Sequence, residues 1–351
     1  MNIFKYNSEI SVSKYRTPLM GIAMLWIMLF HIGINIPIIG IITQKGYLGV
    51  DIFIFLSAYG LYYGYKKDNC NTKRYYIKRL LRILPSYYFV MVVFFVISSI
   101  LESNYNFNMV TIFQQITTLG FFIPDLKWSY FLWYIPGILF LYLIFPLLFN
   151  GLEYFKKIKY LAFAFVVVFV LNGILTIHVF LHDYNKFSVL LLIPRIFVFL
   201  LGLVWAHVEK GRTGYIFSHK IFMISLMLLI FIFMVSAKRY MPYMYLRLFM
   251  LEFTPFILAM PGFFIIFTYI YDRLNDVFRK VLAFAGVYSL ELYLLHETFY
   301  EYSKRIATTF DLNSNITLAF MFFMSFLFAY LLKRFMNMLM PVMGLTIKKR
   351  S

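Results

Sequence analysis

The chain is short of charge, of acids and of cysteine, and each shortage excludes something. Only 14% of its 351 residues are Asp, Glu, Lys or Arg, against about 25% in an ordinary soluble domain. A soluble globular class is thereby excluded, and the 62% apolar and 22% aromatic content points the same way. The single Cys70 rules out a disulfide framework within the chain and offers no metal-ligand pattern, so no metal is expected. Acidic residues number 15 against 33 basic ones, a formal net charge of +18. Such an excess suggests nucleic acid, but the Lys and Arg residues lie in short loops between apolar runs. No basic surface interleaved with aromatics occurs, and no nucleic-acid partner is expected. Residues 1–14 are polar and lack the apolar core and cleavage site of a removable signal, so the first apolar segment is expected to remain.

What the chain has instead is apolar length. Runs of about 20 residues recur from end to end, each able to cross a hydrocarbon core of roughly 30 Å. The pattern predicts an all-α, polytopic, multi-pass membrane protein of about ten spans, at 18–38, 49–65, 84–101, 131–149, 160–180, 189–208, 221–237, 248–271, 282–300 and 316–332. The stretch 109–123 is apolar but short and carries Gln114 and Gln115, which suits a re-entrant or interfacial piece. Of the 33 Lys and Arg residues, 24 fall in the loops on the side of the N-terminus and 8 on the other, with Arg195 inside a span. By the excess of Lys and Arg on the cytoplasmic side, both termini are expected in the cytoplasm. No internal repeat is visible and no loop is long enough for a soluble domain. Residues 1–351 therefore read as one integral-membrane domain with no appended soluble domain.

The chemistry lies in the exceptions to that apolar pattern. Ionisable side chains inside a span are costly and usually face a bundle interior or a hydrated cavity. His31 falls two thirds of the way along the first span. Asp51 opens the second, Arg195 and Glu252 lie within two turns of the ends of others, and His296 with Glu297 lies near the outer end of the ninth, with Glu291 about a turn and a half deeper. At similar depth, these groups are consistent with one hydrated chamber. Taken singly, Asp51 also reads as an interfacial acid, Arg195 with Glu252 as a structural ion pair, and His296 with Glu297 as solvent-facing. His178, His182, His207 and His219 lie at span edges and read as interfacial. On the cytoplasmic side, Arg79 and Arg82 share a helix face at i, i+3, a spacing with which two guanidiniums can grip a polyphosphate. Taken by composition, the same arginines read as positive-inside signalling.

Several stretches carry a family resemblance. They are Gly21-Ile-Ala-Met-Leu-Trp-Ile-Met-Leu-Phe-His31, Gly49-Val-Asp-Ile-Phe-Ile-Phe-Leu-Ser57, Tyr76-Ile-Lys-Arg79-Leu-Leu-Arg82-Ile-Leu-Pro85, Trp133-Tyr-Ile-Pro-Gly-Ile-Leu-Phe-Leu-Tyr-Leu-Ile-Phe-Pro146, Arg195-Ile-Phe-Val-Phe-Leu-Leu-Gly202 and Ser289-Leu-Glu-Leu-Tyr-Leu-Leu-His296. Each is a loose motif; together, in this order, the chain resembles the membrane-bound acyltransferase family 3. The resemblance implies a ten-helix O-acyltransferase of the cell membrane. It implies an acyl group, usually acetyl, taken from cytoplasmic acyl-CoA and passed to a carbohydrate hydroxyl, typically on a cell-surface polysaccharide or its lipid-linked precursor. His31 matches the family's catalytic histidine, and Arg79 and Arg82 its cytoplasmic arginine motif. Two positions depart from the family pattern. The basic residue expected eleven positions before the histidine is Met20, where Arg16, a turn earlier on about the same face, can substitute. The expected Ser-Gly is Ser57-Ala58.

The chemistry so implied is attack by a sugar hydroxyl on a thioester. Neutral imidazole, with an ordinary pKa of about 6.5, suits the removal of the hydroxyl proton. His31 is the expected base, Asp51 or Glu297 its orienting partner, and an acyl-imidazole intermediate the alternative. Fifteen residues of helix from Arg16 to His31 span roughly 22 Å, a length that a pantetheine arm anchored at Arg16, Arg79 and Arg82 can cover. Acetyl-CoA is thus the expected donor, with no metal. Trp133, Tyr134, Arg195, Glu252 and His296 are the expected acceptor contacts, and Trp133 and Tyr134 read equally as an interfacial aromatic belt. A transporter or flippase of glycan or lipid-linked sugar would also want a polar chamber, but no inner arginine pair. A polysaccharide-assembly partner without catalysis would tolerate replacement of His31 and Asp51.

Overall fold

The computed structural model describes residues 12–33, 39–101, 109–121, 133–154, 166–175, 187–211 and 254–342, with positions 178 and 227 singly. Among them every regular element is helical and none is a strand. The longer helices are α1 (Val12–Ile32), α2 (Gly49–Lys67), α3 (Thr72–Leu101), α4 (Met109–Thr117), α5 (Tyr134–Tyr154), α6 (Val166–Leu175), α7 (Phe187–Gly211), α8 (Thr254–Tyr271), α9 (Asp276–Val287), α10 (Ser289–Thr309) and α11 (Ser314–Val342). Five of these contain stretches long and apolar enough to cross a membrane: Val12–Ile32, Thr72–Ile100, Tyr134–Tyr154, Leu191–Glu209 and Asn315–Val342. The expected span at 221–237 lies outside the described residues except for position 227, as do parts of those at 131–149, 160–180 and 248–271.

Helix starts are set by asparagines. The Asn71 side chain accepts the Arg74 N–H at 2.9 Å, and that of Asn275 accepts the Phe278 N–H at 3.1 Å. Asn313 accepts from Ile316 at 3.2 Å. Each satisfies a donor that the first turn of a helix leaves open. Two boundaries differ from the sequence expectation. The apolar run of the first span continues to residue 38, yet α1 stops at Ile32, because Gly33 turns left-handed (φ +71°) and returns its N–H to the Leu29 and Phe30 carbonyls. His31 is therefore in the last turn of α1 rather than two thirds of the way along a span. The run 282–300 is not one helix but two, with Tyr288 as the junction between α9 and α10.

The chain divides into two compact units that interleave in sequence. The first comprises Met1–Leu19, Val50–Cys70 and Phe140–Leu282, the second Met20–Gly49, Asn71–Leu139 and Ala283–Ser351. In the first, α2 is the core element. Residues 50–59 are all buried, as expected of a helix that is apolar on every face. Phe55 meets Trp205 and Phe264 at ring distances of 5.9 and 5.0 Å. Gly202 lets the α2 and α7 backbones touch, since a Cβ there would lie 2.4 Å from the Phe55 carbonyl oxygen.

In the second unit, α10 packs along α11, and α3 touches both. The segment leading to α2 folds back on α1: the Trp26 indole donates to the Ile42 carbonyl at 2.7 Å. A Cβ on Gly46 would sit 2.1 Å from the Trp26 carbonyl oxygen. That approach packs the last turns of α1, at Trp26 and Phe30, against this segment.

Candidate active site

In the second unit, α1 and α10 bring the reactive groups together. Gly33 ends α1 just beyond His31, whose imidazole is left half-buried instead of sealed in a bundle. From α10, the Glu297 carboxylate comes within 3.8 Å of His31 Nδ1. This is too long for a hydrogen bond and short enough for attraction once the ring is protonated. The His296 ring stands edge-on to His31 with centroids 5.0 Å apart.

His296 is 5% exposed, and its Nδ1 lies 2.8 Å from the Tyr293 carbonyl oxygen and 3.2 Å from that of Leu292. A carbonyl only accepts, so Nδ1 carries the proton and the neutral ring presents its lone pair at Nε2. That Nε2 is buried and has no hydrogen-bond partner among the described residues. Beside the two rings lies a small, partly open recess of about 20 Å³, walled by Met28, Ile32, Tyr300, Met321 and Phe322. The ligating atoms of His31, His296 and Glu297 all lie within 4.8 Å of one another, a group among the described residues that could hold a metal ion.

An aromatic path runs to the same place. Trp133 meets Tyr134 at 6.4 Å, Tyr134 meets Tyr293 at 5.0 Å, and Tyr293 meets His296 at 5.6 Å. The Tyr293 hydroxyl also accepts the Tyr134 backbone N–H at 3.4 Å, fixing the start of α5 to α10.

The basic face of α3 forms a second cluster in this unit. Arg82 Nη1 meets Glu291 Oε1 at 3.4 Å, and Lys333 Nζ of α11 meets the other Glu291 oxygen at 3.8 Å. Lys333 also donates to the Val287 carbonyl oxygen. Glu291 is 1% exposed, so one buried carboxylate fixes two cations while the Arg82 side chain remains 45% exposed. One helical turn away, no carboxylate among the described residues pairs with Arg79. Sequence reasoning singled out Arg79 and Arg82 and grouped Glu291 with the expected chamber, but missed Glu291 and Lys333 as the arginines' setting. The available signal was an acid and a lysine breaking two apolar helix patterns.

Asp51 and Arg195 belong to the first unit, where they pair at 3.3 Å with both side chains 1% exposed. Arg195 Nη1 also donates to the Leu191 carbonyl at 2.6 Å. Arg16, in the same unit, lies against Gly60 and donates from Nε to the Leu56 carbonyl at 3.1 Å. His207, read from sequence as interfacial, joins Tyr62 and Lys66 around Glu153, at 3.1 Å from its carboxylate. Glu252, His182 and His219 lie outside the described residues.

A family model described as an acyltransferase domain, of acyltransferase family 3, matches residues 19–334. The chain belongs to that family. The match runs from within α1 to near the end of α11 and includes every residue of both clusters. No curated protein and no solved structure gave a match to the chain. As a family member the protein is an acyltransferase enzyme, and its long apolar helices make it a membrane one.

Proposed function

We propose that this acyltransferase moves an acyl group, acetyl in the first instance, from acyl-CoA to a hydroxyl of a carbohydrate bound for the cell surface, within the cell membrane. The observation that carries the reading is the half-buried His31 imidazole between the Glu297 carboxylate and the His296 ring, beside an open recess. Glu297 on the Nδ1 side leaves the far nitrogen of His31 to take the hydroxyl proton. The hydroxyl oxygen attacks the thioester carbonyl, the carbon–sulfur bond breaks, and the proton passes to the departing CoA thiolate. Base catalysis of this kind contributes about 10²–10⁴-fold. The unpartnered Nε2 of His296 is an acceptor for a sugar hydroxyl, and the Trp133–Tyr134–Tyr293 path offers faces on which a sugar ring can stack.

Arg79 and Arg82 suit the donor's phosphates. Arginine's planar fork binds phosphate oxygens two at a time, and Glu291 orients Arg82 without covering it. A donor entering from the cytoplasmic side and an acceptor from the outer side follow from the Lys and Arg asymmetry of the loops.

The test uses the full-length protein in proteoliposomes with acyl-labelled acetyl-CoA and a crude cell-surface glycan extract. The reading predicts label in a base-labile ester on the glycan, and loss of CoA binding in Arg79→Ala/Arg82→Ala. Failure of the wild type to bind CoA, with glycan moving across the bilayer instead, would replace this reading by a transporter.

A further inference from the structure

The histidine that the general-base scheme uses least is the most constrained group in the site. His296 is 95% buried, its proton is committed to two backbone carbonyls, and its remaining lone pair meets nothing. A buried acceptor without a partner is costly, and native structures seldom keep one without a purpose. A backbone carbonyl on one imidazole nitrogen with the other left bare is the arrangement that prepares a histidine to bind a metal. The carbonyl fixes the tautomer and the ring's aim, and raises the basicity of the free nitrogen.

We infer that His31, His296 and Glu297 form a binding site for a divalent transition-metal ion of the zinc class, and that occupancy of the site switches acyl transfer off. Two imidazoles and one carboxylate with a fourth position open are a donor set that zinc adopts. The fourth position faces the recess, which has room for a water. One carboxylate among two nitrogens is a poor set for Mg²⁺ or Ca²⁺, which require a shell of oxygens. Geometry is close to what the ion needs. Bonds of about 2.0–2.2 Å in a tetrahedron put neighbouring ligand atoms roughly 3.3–3.5 Å apart. Here the His31–Glu297 separation is 3.8 Å and the whole set lies within 4.8 Å. The contraction falls to His31 and Glu297, whose side chains are 27% and 21% exposed, while His296 is held by the Tyr293 and Leu292 carbonyls.

Two other carboxylates among the described residues are held by cations. Glu153 is already occupied by Lys66, Tyr62 and His207, and Glu291 by Arg82 and Lys333. In both, an ammonium or guanidinium stands where a cation would have to enter.

The switching half of the inference rests on the base role of His31 proposed above, because a metal-bound imidazole has no lone pair to offer a hydroxyl. The binding half stands without it. Its test is a Co²⁺ titration of the metal-stripped, full-length protein in detergent, read by the visible absorption of low-coordinate Co²⁺. The expected result is an equimolar band, bleached by Zn²⁺, lost in His296→Ala and Glu297→Gln, and retained in His178→Ala/His207→Ala. Glu297→Gln keeps shape and volume, so its loss of the band, with an unchanged monodisperse elution profile, reports ligation and not misfolding. Absence of a band in the wild type, or a band that survives His296→Ala, overturns the site. In the transfer assay, Zn²⁺ should remove most turnover and a chelator should restore it. Turnover unchanged at a Zn²⁺ concentration that bleaches the Co²⁺ band would overturn the switch. A protein that transfers acyl groups but binds no Co²⁺ would overturn the metal site and leave the proposed activity standing.

Discussion

Asp51–Arg195 and His31–Glu297 are each a carboxylate beside a basic side chain on apolar helices, and they are built in opposite ways. The first pair closes at 3.3 Å with both side chains 1% exposed, and its arginine also donates to a carbonyl one turn back. The second stands open at 3.8 Å with side chains 27% and 21% exposed, beside a recess and an unpartnered histidine nitrogen. A sealed pair neutralises two charges that could not otherwise be buried, and removing one partner strands the other. An open pair leaves a nitrogen able to move a proton. The pairs differ in burial, in separation and in base, a guanidinium that stays charged against an imidazole that can be neutral, and on those differences the proposed chemistry is assigned to the open one.

The sharpest way to break the comparison is to exchange the consequences of the two pairs. His31→Ala is expected to lower turnover by about 10²–10⁴-fold, the range of a lost general base, with thermal unfolding in detergent unchanged. A fall in unfolding temperature as large as that of the Asp51 variants would erase the distinction. Asp51→Ala or Arg195→Ala is expected to cost about 3–5 kcal/mol of stability, seen as a large drop in unfolding temperature. The double replacement Asp51→Leu/Arg195→Met should recover much of that loss, because it leaves no stranded charge.

Two smaller effects sharpen the account. Arg82→Ala should raise KM for acyl-CoA about tenfold, since a hydrogen bond to a charged group contributes ~1.5–3 kcal/mol, with kcat nearly unaffected. Glu291→Gln should move KM in the same direction, as it frees Arg82 from its orienting carboxylate. A change confined to kcat would remove Arg82 from the donor site. Smallest is Cys70→Gly. Cys70 is exposed and sits in the left-handed region with φ +55° after α2. Glycine carries no Cβ penalty there, and a gain of about 1 kcal/mol is expected, read by the same unfolding assay.

The sequence was most legible where it broke its own pattern. His31 and Glu297 stand out because ionisable groups are rare in apolar segments, Arg79 and Arg82 by their spacing in a basic run, and the family model's match over residues 19–334 agrees with the resemblance that His31, Arg79 and Arg82 carry. Pairing was much less legible. Glu291 is 209 positions from Arg82 and contacts it only because α10 packs on α3. The partners of Asp51 and Glu291 depend on which helices meet, and a run of Leu, Ile and Phe reads alike on every face. The stop of α1 at Gly33 and the break at Tyr288 were hidden for the same reason, since hydropathy continues through both. The bonding of His296 to its own helix was likewise invisible, since only a backbone shows which ring nitrogen is occupied.

The central claim is that His31 is the base and takes no part in holding the donor. Its most direct test measures kcat for acyl transfer and Kd for acetyl-CoA on the same preparations of wild type and His31→Ala. The account predicts that kcat falls by at least about 10²-fold while Kd is unchanged. An unchanged kcat would contradict it.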